Sequence, residues 1–580
     1  MPPTAVITAN PEADLLSRMR NRLQSLAYSS QLYRLMISGP VPKALNVTPN
    51  DPWPGDAQKG RNIIDGQITA AGQSFSAHPP LWLPEKASLN WLIYAHRLDW
   101  LRDLRAVGGD TARRVARSLL ASWFDHFENW SVFVWEPALV ARRIIHLVAL
   151  HDFVLASADP AFTQRAYEAL VRHHRHLMRI APGCIAGAGN EEERAEGDEG
   201  FANVVLPGAG AVTGVDALQV LTGLAFSGVA LPDGSRALQY ALETLPQVLA
   251  RCFAADGCVS SRAPQQQIEG LKCLIDLRQA LKAARVALPP ELPVAIDRAT
   301  SALRFFRHGD GALALFNGAN EADPLIIDAL LTQADVRGRA PKNLTKGGYE
   351  RLSGGRLLLI ADTGAPAPAG FDNCAYAGFG SFELSLGKER LIVNCGSHPG
   401  GDAGPWYQAL ASTAAHSTLT AENTNICEIL PAGGEGKRSV FCKHSRSDDK
   451  DCQQIELSHD GWKVLLGLIH TRRLALHGES EELKGEDILM GAGGKEYALR
   501  FHLHPHVQAS IIQNGAAALL RLPSGAGMRL KSESGILALE ESLYFGKEEG
   551  RKTRQVVLKG VSDAGETRLC WSLVREGKSK

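Results

Sequence analysis

The feature that most limits what this 580-residue chain can fold into is a change of hydrophobic period near Phe305. Before it, apolar residues return every three or four positions. In Asp110–Asn129, the residues Val115, Leu119, Leu120, Trp123, Phe124 and Phe127 fall on one face of a 3.6-residue helix. Asp110 or Thr111 supplies the N-cap oxygen. The same spacing predicts helices over 88–106, 137–156, 160–180, 215–227, 235–254 and 266–287. In the last of these Ile268, Leu271, Leu274, Ile275 and Leu281 make the apolar face. After Phe305 the period falls to two or to short apolar runs, and 355–362, 381–396, 463–470, 497–504, 528–541 and 554–560 read as strands between glycine-bearing turns. Helices first and strands second mean an α+β multidomain chain, not alternating β/α units. The proline-rich stretch Pro40–Asp56 reads as extended chain laid over the helices, and the acidic stretch Asn190–Gly200 as a solvated loop.

Charge narrows the function. Lysine plus arginine and aspartate plus glutamate are 62 each, so the basic footprint of a nucleic-acid binder is absent. No run of eighteen apolar residues suggests a membrane span. The first twenty residues lack a basic start followed by an apolar core, so no signal peptide is expected. Ten cysteines without a C-x-x-C pair read as structural thiols of a reducing compartment.

There is no G-x-S-x-G elbow, P-loop, G-x-G-x-x-G after a strand, or H-E-x-x-H. The informative segment is Gly380–Asn425, in which two strands, SFELSLG and RLIVNCG, lead through a glycine-rich loop into WYQALASTAAHSTLT. Its Ser412-Thr413-Ala414-Ala415-His416-Ser417-Thr418-Leu419 resembles the S-T-x-x-H-N-T-L motif of the heparinase II/III family. Matches in the expected order extend over nearly the whole chain: Asn50–Asp56, Trp135–Arg143 (WEPALVARR), Asp256–Glu269, Leu483–Leu489 and Arg500–Pro505.

The resemblance implies an incomplete (α/α) toroid over 61–305, preceded by an extended segment over 1–60 and followed by an antiparallel β-sandwich over 306–580. It also implies β-elimination on an anionic, uronic-acid-containing polysaccharide or oligosaccharide. Such chemistry needs donors that neutralise the uronate carboxylate and a Tyr/His pair for the proton transfers. Family resemblance places such a protein in the cell envelope or periplasm; the missing export signal makes the cytoplasm the alternative.

The chain departs from the lyase pattern at its chemical positions. Where the lyases carry S-P-x-Y-H this chain reads Ala263-Pro264-Gln265-Gln266-Gln267, so Gln266 stands at the tyrosine. Their H-x-H-x-D-x-G-S-F becomes Cys374–Phe382, with Tyr376 at the second histidine. Asn394 stands at the zinc-binding aspartate and Ala411 at the motif's arginine, leaving His416 alone of the implied zinc ligands. No cofactor is therefore expected.

The candidate catalytic residues are Tyr376 and His416. A phenol with a pKa of roughly 10 needs a cationic neighbour to serve as a base. The candidate substrate-binding residues are Trp135, Arg142, Arg143, Arg262, Gln265, Gln266 and Trp406. An arginine fork suits a carboxylate and an indole suits a sugar face. His502, His504 and His506 alternate along one strand and read as a polar edge, while His173, His174 and His176 read as the polar face of a helix. A glycosidase would need paired carboxylates, for which Glu136 and Asp256 are the candidates. The alternative to a working lyase is a catalytically altered member that binds glycan during capsule or envelope polysaccharide production.

Overall fold

The computed structural model describes residues 26–186, 212–401, 406–430, 436 and 441–577. The leading twenty residues and the 190–200 stretch lie outside the described residues. The chain forms two compact units, Met1–Cys252 with Glu269–Ile296, and Phe253–Ile268 with Asp297–Lys580. Residues 253–268, which the sequence reading assigns to the helical segment, thus group with the strands.

The first unit is built of helices, with a single hairpin of β1 (Gln67–Ala70) and β2 (Gln73–Ser76) among its described residues. The helix Gly109–Phe127 buries Ala112, Ala116, Leu119, Leu120, Trp123, Phe124 and Phe127, a stripe at helical spacing. It starts after Gly108 at φ 72°, without the side-chain cap expected from Asp110 or Thr111. Two expected helices are interrupted. Leu98 takes a left-handed φ of 63° and separates Leu89–Arg97 from Trp100–Val107, and Leu150 separates Pro137–Ala149 from His151–Leu155.

Pro137–Ala149 is buried from Pro137 through Val148, and Gly214–Ala230 is buried along most of its length. These two helices approach closely because Gly223 lacks a side chain: a Cβ there would lie 2.7 Å from Ala141 Cα. The proline-rich segment is anchored onto the helices by Asp51, which pairs with Arg102 Nε and Nη2 at 2.8 and 2.9 Å. Trp53 Nε1 adds a donor to Asp276 Oδ1 at 2.6 Å.

In the second unit the chain beyond Phe305 first forms the helix Pro324–Ala334, which the strand-like pattern there did not predict. Its strands are β3 (Asn343–Leu344), β4 (Tyr349–Gly354), β5 (Leu357–Asp362), β6 (Phe382–Leu386), β7 (Glu389–Val393), β8 (Leu419–Ala421), β9 (Cys442–Asp448) and β10 (Cys452–His459). They continue as β11 (Leu468–His477), β12 (Glu482–Gly491), β13 (Glu496–Leu503), β14 (Gln508–Ile512), β15 (Ala517–Arg521), β16 (Gly527–Ser532), β17 (Leu537–Tyr544), β18 (Arg551–Val561) and β19 (Gly565–Arg575). Residues 463–466, read as the start of a strand, form a short helix instead.

Among the described residues, one antiparallel sheet runs β14-β15-β16-β19-β12-β11-β10-β9 and the other β17-β18-β13-β7-β6-β5-β4-β3, with β8 paired to β13. Inward residues alternate with outward ones along β11, as the period of two requires. The core between the sheets is apolar, with Phe382 stacked on Trp571 at 5.9 Å.

One polar network crosses that core. Asp487 Oδ1 accepts from Arg472 Nε at 2.7 Å and from His470 Nε2 at 2.8 Å, and its Oδ2 accepts from Trp571 Nε1 at 3.0 Å. His470 Nδ1 accepts a hydrogen bond from His459 Nε2–H at 3.2 Å, a tautomer set by Gly461 N–H donating to His459 Nδ1. Arg472 Nη1 then reaches the carbonyls of Gly380 and Ser417, in loops of the opposite sheet, at 2.6 and 3.0 Å. Both carboxylate oxygens of Asp487 thereby accept hydrogen bonds in a place closed to water, as a buried charge demands.

Candidate functional site

Tyr376 and His416 come together in the sandwich unit. Tyr376 lies in the loop before β6, where its backbone N–H donates to Asn317 Oδ1 at 3.1 Å. Its ring meets His416 edge-on at 6.0 Å and Tyr407 at 5.9 Å, and its hydroxyl lies 3.3 Å from Ser397 Oγ. His416 follows the one-turn 3-10 helix Thr413–Ala415, and its Nδ1–H donates to the Ser412 carbonyl at 2.8 Å. Its other face lies against the Gly378 backbone, where a Cβ would stand 2.8 Å from Nε2. The imidazole is 2% exposed, and burial pushes its pKa down to about 4. It is neutral at pH 7, with its one proton held by a carbonyl.

Tyr376 and Arg262 also line one cavity, with Asp362, Phe379 and His459, of about 20 Å³. That is room on the scale of one water rather than a sugar ring. Arg262 faces Tyr376 as a cation already occupied: it pairs with Asp362, donates to the carbonyls of Gly347 and Gly348 at 2.8 and 3.1 Å, and lies over the Tyr349 ring. Its backbone is left-handed, at φ 59°. Arg262 is therefore a clamp inside this unit, not a free donor for a carboxylate. Gln266 Nε2 lies 3.6 Å from Cys374 Sγ, and Gln265 Oε1 is buried without a hydrogen-bond partner. Gln267, which sequence reasoning passed over, is the best-satisfied of the three: it donates to the carbonyls of Gly257 and Ala299 and accepts from Val259 N–H. Asp256 accepts from the backbone N–H of Cys258, Lys346 and Gly347, which makes it a loop-binding carboxylate.

The implied zinc set does not fit a metal. Asn394 donates from Nδ2 to the Leu315 carbonyl at 3.1 Å and accepts at Oδ1 from Ser417 N–H at 2.9 Å. An amide matches that one donor and one acceptor, and an aspartate cannot. Among the described residues no group of three or more His, Cys, Asp or Glu is placed to hold a metal ion. Asn394→Asp is expected to cost about 3 kcal/mol, because it buries a carboxylate beside a carbonyl oxygen. It should also leave the protein without bound zinc. Thermal melts and metal analysis of the variant check both parts; a stable, zinc-loaded variant would overturn this account.

Of the remaining candidates, Trp135, Arg142, Arg143, Glu136 and the 173–176 histidines lie in the helical unit, and there the structure corrects the reading of most of them. Trp135 is 2% exposed, donates to the Phe127 carbonyl at 3.3 Å and packs edge-on against His173 and His176. It is a core residue, unable to stack on a sugar. His173, His174 and His176 are buried rather than a polar face. His176 Nδ1 meets the Tyr33 hydroxyl at 2.6 Å, and His174 Nδ1 meets Ser227 Oγ at 2.9 Å. Arg143 lies over the Trp123 ring and donates to the carbonyls of His96 and Val134 at 2.9 and 2.6 Å. Arg142 bridges Glu269 and Asp276 at 3.1 and 3.3 Å. Both guanidiniums serve the fold.

Glu136 caps the helix Pro137–Ala149, and burial, with Asp216 nearby, pushes its pKa up to about 7. In the sandwich unit Trp406 alone of the substrate-binding candidates keeps a broadly exposed face, at 39%, beside Phe545. The three alternating histidines divide: His502 and His504 are buried and His506 is exposed.

Comparison with known proteins places these observations. The family described as Heparinase II/III-like, C-terminal, matches residues 336–572. Over 574 residues the chain is 32% identical to the FtsZ-localized protein C of Caulobacter vibrioides, covering 94% of this chain and 93% of that protein. Among solved structures it is similar to a heparinase III, with a TM-score of 0.68 at 14% identity over 97% of this chain and 90% of that one. It is also similar to the heparan sulfate lyase HepC of Pedobacter heparinus, with a TM-score of 0.56 at 15% identity over 98% and 88%. At such identities the two enzymes show the fold alone.

Proposed function

Since the chain belongs to the heparinase II/III family, we propose that it keeps that fold as a binding scaffold, without lyase chemistry, and acts where FtsZ is localised. The observation that carries this reading is the state of the Tyr376–His416 pair. The two rings meet beside a cavity of about 20 Å³, the Arg262 guanidinium that lines it is neutralised by Asp362, and the imidazole is held neutral by burial. With Gln266 at the expected tyrosine, an imidazole kept neutral at pH 7 has no proton to spare for a leaving oxygen, and among the described residues of that cavity the Tyr376 phenol has no unpaired cation to make it a base. The name of the Caulobacter relative supports the site of action. Ten free cysteines support a reducing compartment, hence the cytoplasm. The ligand we assign is an anionic saccharide, bound and not cut.

The second reading, β-elimination on a uronate polysaccharide with Tyr376 as base, is favoured by the same ring contact, which brings the expected pair together. One experiment separates the two. Purified protein is incubated with a panel of uronate polysaccharides, and the ultraviolet absorbance of the unsaturated product is followed. We expect none from wild type, Tyr376→Phe or His416→Ala. Turnover by wild type that Tyr376→Phe lowers by roughly 10²-fold or more, the scale of one general base, would replace this proposal with the second reading. A fluorescent fusion that is spread evenly through the cell, with or without FtsZ, would refute the site of action.

A further inference from the structure

A second cavity in the sandwich unit, of about 260 Å³, takes no part in the site above. It opens where the start of β7, the turn after β13 and the β17–β18 connection converge, and so gathers Arg390, His504, His506, Tyr544, Lys547 and Arg551. It is far larger than the ~30 Å³ share of one water and close to the ~300 Å³ at which small-molecule pockets begin. One sugar ring fits that room; a polymer does not.

The charges around it are unevenly satisfied. Each of its three carboxylates already has its donors. Asp310 is clamped by Arg390 Nε and Nη2 at 2.7 and 3.3 Å. Glu321 accepts from the Tyr544 hydroxyl at 2.5 Å and lies 3.6 Å from His504 Nε2. Glu389 accepts from Ser524 N–H and Oγ at 2.8 and 2.5 Å.

The cations are not matched in the same way. Lys388 and Arg551 have no carboxylate within ion-pair distance among the described residues, and Lys547 reaches Glu321 only at 3.9 Å. Arg390 is 4% exposed, yet its Nη1 is buried without a hydrogen-bond partner, 3.8 Å from the Glu383 carboxylate. Among the described residues three of the four cations on the cavity thus lack a close carboxylate, and the surplus around it is positive.

We propose that this cavity binds a single sugar ring bearing one oxyanion, a carboxylate or a phosphate, with Lys388, Lys547 and Arg551 as its charge partners. The oxyanion rests on the cavity alone; the sugar rests on the functional reading above.

The test is calorimetric titration of the full chain at low salt with glucuronate, glucose 1-phosphate, glucose and inorganic phosphate. Wild type is compared with the Lys547→Ala, Arg551→Ala double variant, both positions being exposed so that the thermal midpoint stays unchanged. We expect glucuronate or glucose 1-phosphate to bind wild type, the double variant to bind it at least tenfold more weakly, and glucose not to bind. Equal affinity in the two proteins, or no binding of any of the anions, would overturn the cavity. Inorganic phosphate binding as tightly as the sugar phosphate would overturn the sugar. Since the lyase assay and the fusion read other residues, these failures stay distinct from failure of the broader reading.

Discussion

Acidification from pH 7 to pH 5 is expected to lower the stability of each unit by several kcal/mol (about 4 from its two most shifted histidines), because many histidines are buried in neutral form. Burial pushes the pKa of His96, His176 and His502 down to about 3 and that of His416 to about 4. His146, His173 and His459 are driven well below the ordinary value for the same leading reason. In the unfolded chain each returns to about 6.5. The unfolded state therefore binds more protons between these values. The stabilising contribution is complete above pH 6.5 and is lost as pH falls toward the folded pKa.

Each such group costs about 1.4 kcal/mol per pH unit below 6.5, so the two in each unit cost that unit roughly 3 kcal/mol per pH unit. Domain stabilities lie near 5–15 kcal/mol. Glu136 works the other way, since a folded pKa near 7 favours folding once the pH falls below it, and offsets about one histidine. Urea denaturation between pH 8 and 4 checks this. A midpoint that stays level from pH 6.5 to 4.5 would contradict it.

The second large effect is expected at Asp487. Asp487→Ala leaves the fully buried Arg472 guanidinium, the His470 Nε2–H and the Trp571 Nε1–H without their shared acceptor. Removing one partner of a buried pair costs about 3–5 kcal/mol. For a unit of this size that lowers the melting midpoint by roughly 10 °C. The double variant Asp487→Ala, Arg472→Met should recover part of the loss, because an apolar chain needs no counter-charge. A single variant that melts within a degree or two of wild type would mean that water reaches the network.

The large divisions of the fold were readable because burial writes its period into the residues. The stripe from Ala112 to Phe127 and the alternation along β11 need one buried face each, and composition reports such faces directly. What stayed hidden depends on single backbone angles or on tertiary partners. Nothing in the apolar pattern around Leu98 shows that this residue turns left-handed and breaks a helix. Trp135, Arg142 and Arg143 have the side chains of a glycan site, and only their neighbours reveal that carbonyls, carboxylates and rings already hold them. The histidines at 173, 174 and 176 misled for a similar reason, because an imidazole that finds a hydroxyl or carbonyl partner tolerates burial. Among the catalytic candidates, the proximity of Tyr376 and His416 followed from motif order, while the sealing of their surroundings did not.

The chain passes between its two units three times, after Cys252, Ile268 and Ile296. The visit of residues 253–268 carries Arg262, Asp256 and Gln267, whose partners include Asp362, Gly347 and Ala299. A gene cut at the change of hydrophobic period would therefore yield a sandwich fragment missing its own clamp, and a helical fragment carrying a loop that belongs elsewhere. Neither piece could be exchanged for a homologous half as an intact cassette.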